Sequence, residues 1–240
     1  MFGIDVRLVR NIRRSNTKTW EQKQDAMWRP FTNHLNVRTV VDVGANSGQF
    51  ATIIHRQCPE AKIISFEPLA TCHEELFKVL SEIPGSQMVK AAAGEKTGTA
   101  QINESEFSPC SSLLPGTDLL GEDYQSAAVT KSIDVPVVRL DDTLIIDDLV
   151  DDVLVKFDVQ GFEIQAIRGA EALLKKAKII ICEVCFFRTM YKGQPLFHEI
   201  YEELRGRGFT YMGNAEYLKR KRDGRNVEAD AVSERLFDSE

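Results

Sequence analysis

Hydrophobic positions follow two alternating periodicities along this chain. Short runs of consecutive apolar residues, typical of buried strands, are followed by segments in which apolar side chains recur every three or four positions, typical of helices. In order along the chain, this pattern predicts strand and helix in turn over 39–43, 49–56, 62–66, 70–80 and 87–91. It resumes with a strand over 153–157, a helix over 163–176 and a strand over 178–183. Such alternation predicts an α/β fold, a mostly parallel sheet with helices on both faces.

The two ends and the middle of the chain depart from this alternation. Residues 1–36 read as an N-terminal helical extension, in which Pro30 is expected to break the helix. Short strands are expected at 99–103 and 133–139, and the segment between them is unusually long. Because loops of such length are commonly functional, we take residues 105–125 as a candidate substrate loop. A helix over 197–204 and strands over 208–212 and 227–232 close a single domain, 37–240, with seven strands in its sheet.

The turn after the first predicted strand carries the clearest chemical signal. Residues 42–50 read Asp-Val-Gly-Ala-Asn-Ser-Gly-Gln-Phe, so Gly44 and Gly48 allow a close backbone approach, and the following helix begins with unpaired N–H groups. The dinucleotide fingerprint G-x-G-x-x-G is absent. Glu67 follows the second strand, 19 residues after Gly48, where nucleotide-binding α/β folds have an acid that binds ribose hydroxyls. These features favour S-adenosylmethionine over a dinucleotide.

A further apolar strand ends in polar residues that belong to the same edge of the sheet. Residues 153–163 read Val-Leu-Val-Lys-Phe-Asp-Val-Gln-Gly-Phe-Glu, and the strand period places Lys156, Asp158 and Gln160 on one face. Ligands of open α/β sheets bind at the carboxyl ends of the strands, which makes Asp158 a candidate site residue. The alternative is that Lys156 and Asp158 form a buried ion pair.

Five segments in order resemble one enzyme family. They are Asp42–Phe50, Phe66-Glu67-Pro68, Ser111-Ser112-Leu113, Arg139-Leu140-Asp141-Asp142 and the 153–163 strand. Together they make the chain similar to the FkbM-type methyltransferases from about Val37 to Phe187. The resemblance implies a Rossmann-like class I methyltransferase domain, S-adenosylmethionine as cofactor, S-adenosylhomocysteine as product, and O-methylation of a hydroxyl.

The chain departs from the family pattern at three places. The acid that usually precedes the glycine after the fourth strand is Gln160 here. The asparagine often found after the third strand is replaced around Lys90-Ala91, and the histidine often found two residues after Glu183 is Cys185. These departures leave the identity of the catalytic base open.

The resemblance and the strand ends together assign candidate site residues. The cofactor contacts are expected from Asp42, Gly44, Asn46, Gly48, Phe50, Glu67, Pro68, Ala91, Ala92 and Asp158. The acceptor contacts are expected from Ser111, Ser112, Lys156 and Gln160. Asp158 is the first candidate to orient or deprotonate the acceptor hydroxyl, and Glu183, at the end of the next predicted strand, is the second. The two acids could instead share a divalent metal ion, which we do not favour because only two well-placed acids are visible. Asp42 could also be purely structural.

Composition narrows the class of protein. The 240 residues, 43% hydrophobic, suit one α/β domain, and a net charge of −6 argues against nucleic acid as partner. No apolar run approaches the length of a membrane span. The five cysteines are few and scattered, which favours reduced thiols and a cytoplasmic protein. Cys182 and Cys185 form a C-x-x-C pair, but on a strand they point to opposite faces, so we expect no metal site there.

The function that we predict is S-adenosylmethionine-dependent O-methylation of a small molecule or glycan, such as a sugar, polyketide or related secondary metabolite. Two alternatives remain: a methyltransferase that acts on RNA or protein, and a cofactor-binding protein without turnover. The acidic balance argues against RNA, and the intact turn at 42–48 argues against a degenerate binder. A homo-oligomer is compatible with the sequence.

Overall fold

The computed structural model describes residues 17–117, 128–150, 152–187, 190–220 and 223–236. Residues 118–125 of the candidate substrate loop lie outside the described residues. The remaining part, 105–117, is called the loop segment below.

The predicted helices and strands occur in the predicted order along the chain. The helices are α1 (Thr17–Thr32), α2 (Gln49–Gln57), α3 (His73–Ser81), α4 (Leu140–Thr143), α5 (Glu163–Arg168), α6 (Glu171–Lys176) and α7 (Phe197–Arg205). The first six strands are β1 (Thr39–Val43), β2 (Lys62–Phe66), β3 (Gln87–Val89), β4 (Ala92–Ala93), β5 (Gly98–Ser105) and β6 (Val129–Val138). The last four are β7 (Val153–Phe157), β8 (Ala177–Cys185), β9 (Thr210–Lys219) and β10 (Asn226–Glu234). The predicted limits of β1, β2 and β7 are confirmed residue for residue.

Seven strands form the main sheet, in the order β3-β2-β1-β7-β8-β10-β9. Neighbours from β3 to β8 are parallel, whereas β10 runs antiparallel to both β8 and β9. The predicted seven-stranded, mostly parallel sheet is therefore confirmed, with β10 as its reversed strand. The chain runs outward from β1 in one direction through β2 and β3, and in the other through β7 and β8. The carboxyl ends of β1 and β7 thus border the crevice where such sheets bind ligands.

A second, smaller sheet contains the strands predicted in the middle of the chain. Its order is β4-β6-β5, with β5 and β6 antiparallel and β4 parallel to β6. The loop segment lies between β5 and β6 in sequence, so this sheet holds one end of it. The strand predicted over 87–91 ends at Val89, and the chain joins the smaller sheet at β4.

Side chains of the central strands alternate between two buried clusters. Val41 and Val155 belong to the first cluster, and Val40 and Leu154 to the second. The first cluster includes Ala166 of α5, Leu173 of α6 and Ile200 of α7. The second includes Trp28 of α1, Ile54 of α2 and Leu76 of α3. Strands buried in this way have apolar residues at consecutive positions, as their sequences show.

The N-terminal helix differs from its prediction. Pro30 does not break α1, which continues to Thr32. A proline in the last turn removes only one hydrogen bond close to where the helix ends, so its cost there is small. Trp28, 1% exposed, contacts the Phe50 ring edge-on at 5.6 Å between centroids. This helix is therefore packed into the second cluster.

The prediction of a single helix over 163–176 is wrong. The structure has two helices there, α5 and α6, which are separated at Gly169. A Cβ atom at Gly169 would lie 2.1 Å from the carbonyl oxygen of Gly94, which precedes β5. The main chain of the smaller sheet therefore passes against the helix at this point. Helical periodicity does not report such a contact, because it depends on a segment far away in sequence.

Replacement of Gly169 by alanine should lower the free energy of unfolding by about 2 kcal/mol, because the added methyl group forces two backbones apart. Gly98→Ala is the matched control, since an added Cβ atom meets no heavy atom of the described residues within 4 Å. Urea denaturation of both variants measures the difference. Equal free energies of unfolding would show that the backbone at Gly94 moves away from the added methyl group without destabilising the fold.

Candidate active site

A cleft of about 280 Å³ opens at the carboxyl ends of the central strands. This volume is near the lower end of small-molecule pockets. The residues assigned to the cofactor that line it are Gly44, Asn46, Phe50, Glu67, Pro68, Ala91, Ala92 and Asp158. The residues assigned to the acceptor or to catalysis that line it are Ser111, Ser112, Lys156, Gln160 and Glu183. Distant parts of the sequence thus meet in one cleft.

Two residues assigned to the cofactor, Asp42 and Gly48, lie outside the lining. Gly48 precedes α2 with φ +84°, and a Cβ atom there would lie 3.1 Å from Val79 of α3. Its small size therefore serves the packing of α2 against α3. Asp42 is 0% exposed and lies within β1.

Gly44 brings the turns after β1 and β7 together. It has φ +87°, and a Cβ atom there would lie 1.9 Å from the carbonyl oxygen of Asp158. We expected its close approach to serve a ligand, but the nearest backbone is the chain's own. The N–H groups of Gly44 and Ala45 both donate to the carbonyl oxygen of Phe66, which fixes the same turn to β2.

Glu67 connects the turns after β1 and β2. One carboxylate oxygen accepts the N–H of Asn46 at 2.8 Å, and the other accepts the N–H of Leu69 at 2.7 Å. Two of its acceptor positions remain for a ligand. Burial raises the pKa of this carboxyl, which is 4% exposed, to about 7, against the opposing effect of these N–H groups.

The polar residues at the ends of β7 and β8 form one hydrogen-bonded group. The Nζ atom of Lys156 lies 2.5 Å from Asp158 Oδ2, so the ion pair considered from the sequence is present. The side-chain amide of Gln160 donates to Asp158 Oδ1 at 2.9 Å and to Glu183 Oε2 at 2.6 Å. Since Asp158 also lines the cleft, the ion pair and a role in the site are compatible.

Burial and nearby charges shift the pKa values of Glu183 and Asp158 in opposite directions. Burial raises the pKa of Glu183 well above its usual range, and the nearby carboxylates of Asp158 and Glu228 act in the same direction. Burial alone would raise the pKa of Asp158 too, but the Lys156 ammonium lowers it below its ordinary value. Burial likewise opposes the charge of Lys156, yet the carboxylates of Asp158, Asp230 and Asp42 raise its pKa. At neutral pH, Asp158 is therefore ionised, whereas the equilibrium of Glu183 is shifted toward its protonated form.

Asp42 is buried beside this group without a hydrogen bond. Neither carboxylate oxygen has a partner among the described residues. Its neighbours across the strands are Ser65 and Lys156, and the Ser65 hydroxyl also has no described partner. The N–H groups of the turn after β1 donate to Phe66 and Glu67 instead. Burial raises its pKa to about 7, although Lys156 opposes this shift.

The loop segment borders the cleft. Asn46 donates from Nδ2 to Ser108 Oγ at 3.1 Å, and the Ser112 hydroxyl donates to the carbonyl oxygen of Gln160 at 2.6 Å. Ser111 Oγ accepts the N–H of Ser105 at 3.0 Å. The segment is therefore attached to the turns after β1 and β7. The assignment of 105–125 as a substrate loop stays a prediction.

The lining residues that sequence reasoning did not assign include Trp28, Ser108, Glu216 and Asp230. Asp230 of β10 lies opposite Glu183 of β8 in the antiparallel register, and Glu216 lies on β9. The predicted closing strand did contain the acid at 230. Its position beside Glu183 depends on strand register, which one sequence does not reveal.

The C-x-x-C pair lies on β8, in buried surroundings. Cys182 belongs to the first cluster, whereas Cys185 Sγ accepts the Gln194 amide at 2.6 Å. Within the described part of the chain, no group of three or more His, Cys, Asp or Glu side chains is placed to hold a metal ion.

The comparisons with known proteins give one matching family model and several similar methyltransferases. The family model named Methyltransferase FkbM domain matches residues 42–211. The methyltransferase sdnD of Sordaria araneosa is 27% identical over 158 residues, which are 55% of this chain and 60% of that protein. An FkbM methyltransferase structure from Methylobacillus flagellatus KT has 15% identity and a TM-score of 0.49, over 83% of this chain and 44% of that chain. An rRNA methylase structure from Streptococcus thermophilus has 10% identity and a TM-score of 0.45, over 91% and 95%. This chain spans less than two thirds of the length of the sdnD protein and of the Methylobacillus flagellatus protein.

Asp42→Asn should stabilise the protein more at high pH than at low pH. Because the folded-state pKa is raised from 3.8 to about 7, the folded state is destabilised progressively as pH rises through that interval. The gain from the neutral amide should be larger at pH 8 than at pH 5 by about 2 kcal/mol. Urea denaturation at both pH values, with the exposed Asp134→Asn as control, measures it. A loss of stability that is the same at both pH values would contradict this account.

Proposed function

Because this chain belongs to the FkbM methyltransferase domain family, we propose that it transfers a methyl group from S-adenosylmethionine to a hydroxyl of a small-molecule or glycan acceptor. One observation carries the proposal: a single cleft contains Asp158, which forms an ion pair with Lys156, and a second carboxyl group, Glu67, that has free acceptor positions. The first is suited to an acceptor hydroxyl and the second to the hydroxyls of a ribose.

The residues of the cleft fit the cofactor that the family implies. Glu67 offers hydrogen-bond acceptors, and a vicinal diol offers the matching donors. Phe66, Leu69, Ala92 and Ile102 line the same cleft with apolar surface, which suits an aromatic base. These residues would hold the nucleoside part of the molecule. When bound, the cofactor supplies a methyl group that is already activated by its attachment to a sulfonium.

The two halves of the proposed site lie at the ends of different strands of the main sheet. Glu67 follows β2 and Asp158 follows β7, with β1 between them, so the two strands are about 10 Å apart. Glu183 lies on β8, the next strand, on the side away from Glu67. We therefore assign the β1–β2 side to the cofactor and the β7–β8 side to the acceptor.

Asp158 is suited to act on a hydroxyl although its pKa is low. As the oxygen of a hydroxyl forms a new bond to carbon, it gains positive charge and its proton becomes strongly acidic. A weak base within hydrogen-bond reach is then sufficient, and an ionised carboxylate also stabilises the developing charge. Lys156 keeps Asp158 ionised in its partly buried position, and Gln160 joins Asp158 to Glu183, whose pKa burial raises. Positioning of the acceptor supplies the rest of the rate enhancement.

The acceptor contacts beyond this pair remain proposals. The Ser112 hydroxyl donates to Gln160 and accepts the N–H of Leu114 at 2.9 Å, and Ser111 also has a partner within the chain. Contacts of Ser111 and Ser112 with an acceptor would use their remaining hydrogen-bond capacity. Trp28 and Phe50 provide an aromatic surface in the same cleft.

The cellular location of the protein is also a proposal. In the described parts of the chain, no helix is both long and apolar enough to cross a membrane. All five cysteines, at 58, 72, 110, 182 and 185, are free thiols. We propose a cytoplasmic location on the basis of the thiols, because a reducing compartment keeps them unpaired.

Glu67→Gln should weaken binding of S-adenosylhomocysteine by at least about 10-fold, the usual loss for a hydrogen bond to a charged group. The variant keeps the shape of the side chain but replaces one acceptor by a donor. Isothermal titration calorimetry measures the affinity, with the exposed Glu74→Gln as control. An unchanged affinity in a folded Glu67→Gln protein would remove this residue from the cofactor site.

Asp158→Asn should retain the fold and much of the affinity for S-adenosylhomocysteine, and lose turnover by roughly 10²–10⁴-fold, the usual contribution of a positioned acid or base. The assay is transfer of a labelled methyl group to the best acceptor found among hydroxylated sugars and polyketides. Asp134→Asn, an exposed change on β6, serves as control. Full turnover by Asp158→Asn would refute its role, and unfolding would show that the ion pair with Lys156 is structural.

A further inference from the structure

The side chain of Gln160 occupies the space between the two acids of the proposed site. Its Nε2 atom is 2.9 Å from Asp158 Oδ1 and 2.6 Å from Glu183 Oε2. An amide nitrogen has two N–H groups, so it satisfies both acids at the same time. A carboxylate at this position would add a third acid and no donor.

The opposite end of the same amide is fixed as well. Gln160 Oε1 lies 3.0 Å from the hydroxyl of Tyr191, which is also 2.8 Å from the carbonyl oxygen of Cys110. Tyr191 is 2% exposed, so its ring position is set by packing. The single hydrogen of this hydroxyl is shared between two acceptors, Oε1 and the Cys110 carbonyl oxygen, and the contact orients the amide with Nε2 toward the acids.

The backbone of Gln160 is held in an unusual conformation. Its φ of +52° lies in the left-handed region, which non-glycine residues adopt at a cost. The Ser112 hydroxyl donates to its carbonyl oxygen at 2.6 Å, and Glu163 Oε1 accepts the N–H groups of Val159 and Gly161 at 3.2 and 3.0 Å. These contacts hold the turn on both sides of Gln160.

We propose that Gln160 is a positioning residue, whose amide fixes Asp158 and Glu183 in one arrangement and connects that arrangement to the loop segment through Tyr191 and Ser112. This inference rests on the proposed function, because it takes Asp158 as the group that acts on the acceptor. It gives Gln160 a role through Asp158, in addition to any contact with the acceptor.

The proposal makes a forecast that needs neither acceptor nor turnover. A hydrogen bond to an ionised carboxylate favours the charged form, so its removal raises the pKa of the carboxyl. In Gln160→Met, which keeps the length of the side chain, the titration midpoint of Asp158 should move up by about one pH unit. Tyr191→Phe keeps the amide but frees its oxygen, and should produce a smaller shift in the same direction.

The measurement is a pH titration by carbon-13 NMR of the full-length protein labelled at the aspartate carboxyl carbons, without acceptor. The Asp158 signal is assigned by its loss in Asp158→Asn, and circular dichroism at each pH identifies the folded range. Gln101→Met, an exposed change on β5, is the matched control and should leave the signal unchanged.

An upward shift in both Gln160→Met and Tyr191→Phe supports the proposal. An Asp158 signal that equals the wild type at every pH where Gln160→Met and Tyr191→Phe are folded overturns it, and leaves Gln160 with structural or acceptor contacts only. Lower thermal stability without that shift has the same meaning. Failure of the methyl-transfer assay is a separate result, because the titration does not depend on it.

Discussion

The contact between Gly44 and the backbone of Asp158 is the constraint on which the site depends. Any side chain at residue 44 would occupy the position of the Asp158 carbonyl oxygen. The missing Cβ atom allows the turns after β1 and β7 to touch, and the same turn is bound to β2 through Phe66 and Glu67. Three strand ends are thereby joined into one crevice. Both halves of the proposed site, the cofactor side and the acceptor side, follow from this joining.

The crevice is electrostatically costly for the folded protein. Burial raises the pKa of Asp42, Glu67 and Glu163 to about 7 each, and Lys156 is the one cation among the residues that line the cleft in the described structure. Isolated buried charges destabilise a fold unless they are paired or hydrogen-bonded. Their concentration at one edge of the sheet is typical of a functional site, where stability is given up for chemistry.

The loop segment and the proposed chemistry are coupled through the same few contacts. Ser108 binds Asn46 near Glu67, and Ser112 binds the backbone of Gln160 near Asp158. A displacement of this segment would therefore disturb both sides of the cleft together. Gln160 takes part in the second contact through its carbonyl oxygen, while its side-chain amide donates to Asp158 and Glu183.

The sequence by itself determined the alternation of elements, the limits of the central strands, and the residues at their ends, because burial and turn geometry impose local patterns on the chain. Glu67, Asp158 and Glu183 could be named for that reason. Only the tertiary structure decided which distant residues meet. The break at Gly169, the inclusion of Trp28 and the pairing of Asp230 with Glu183 depend on packing and strand register between segments far apart in sequence. The protonation states of the acids are decided there too, since desolvation and the distance to Lys156 exist only in the folded chain.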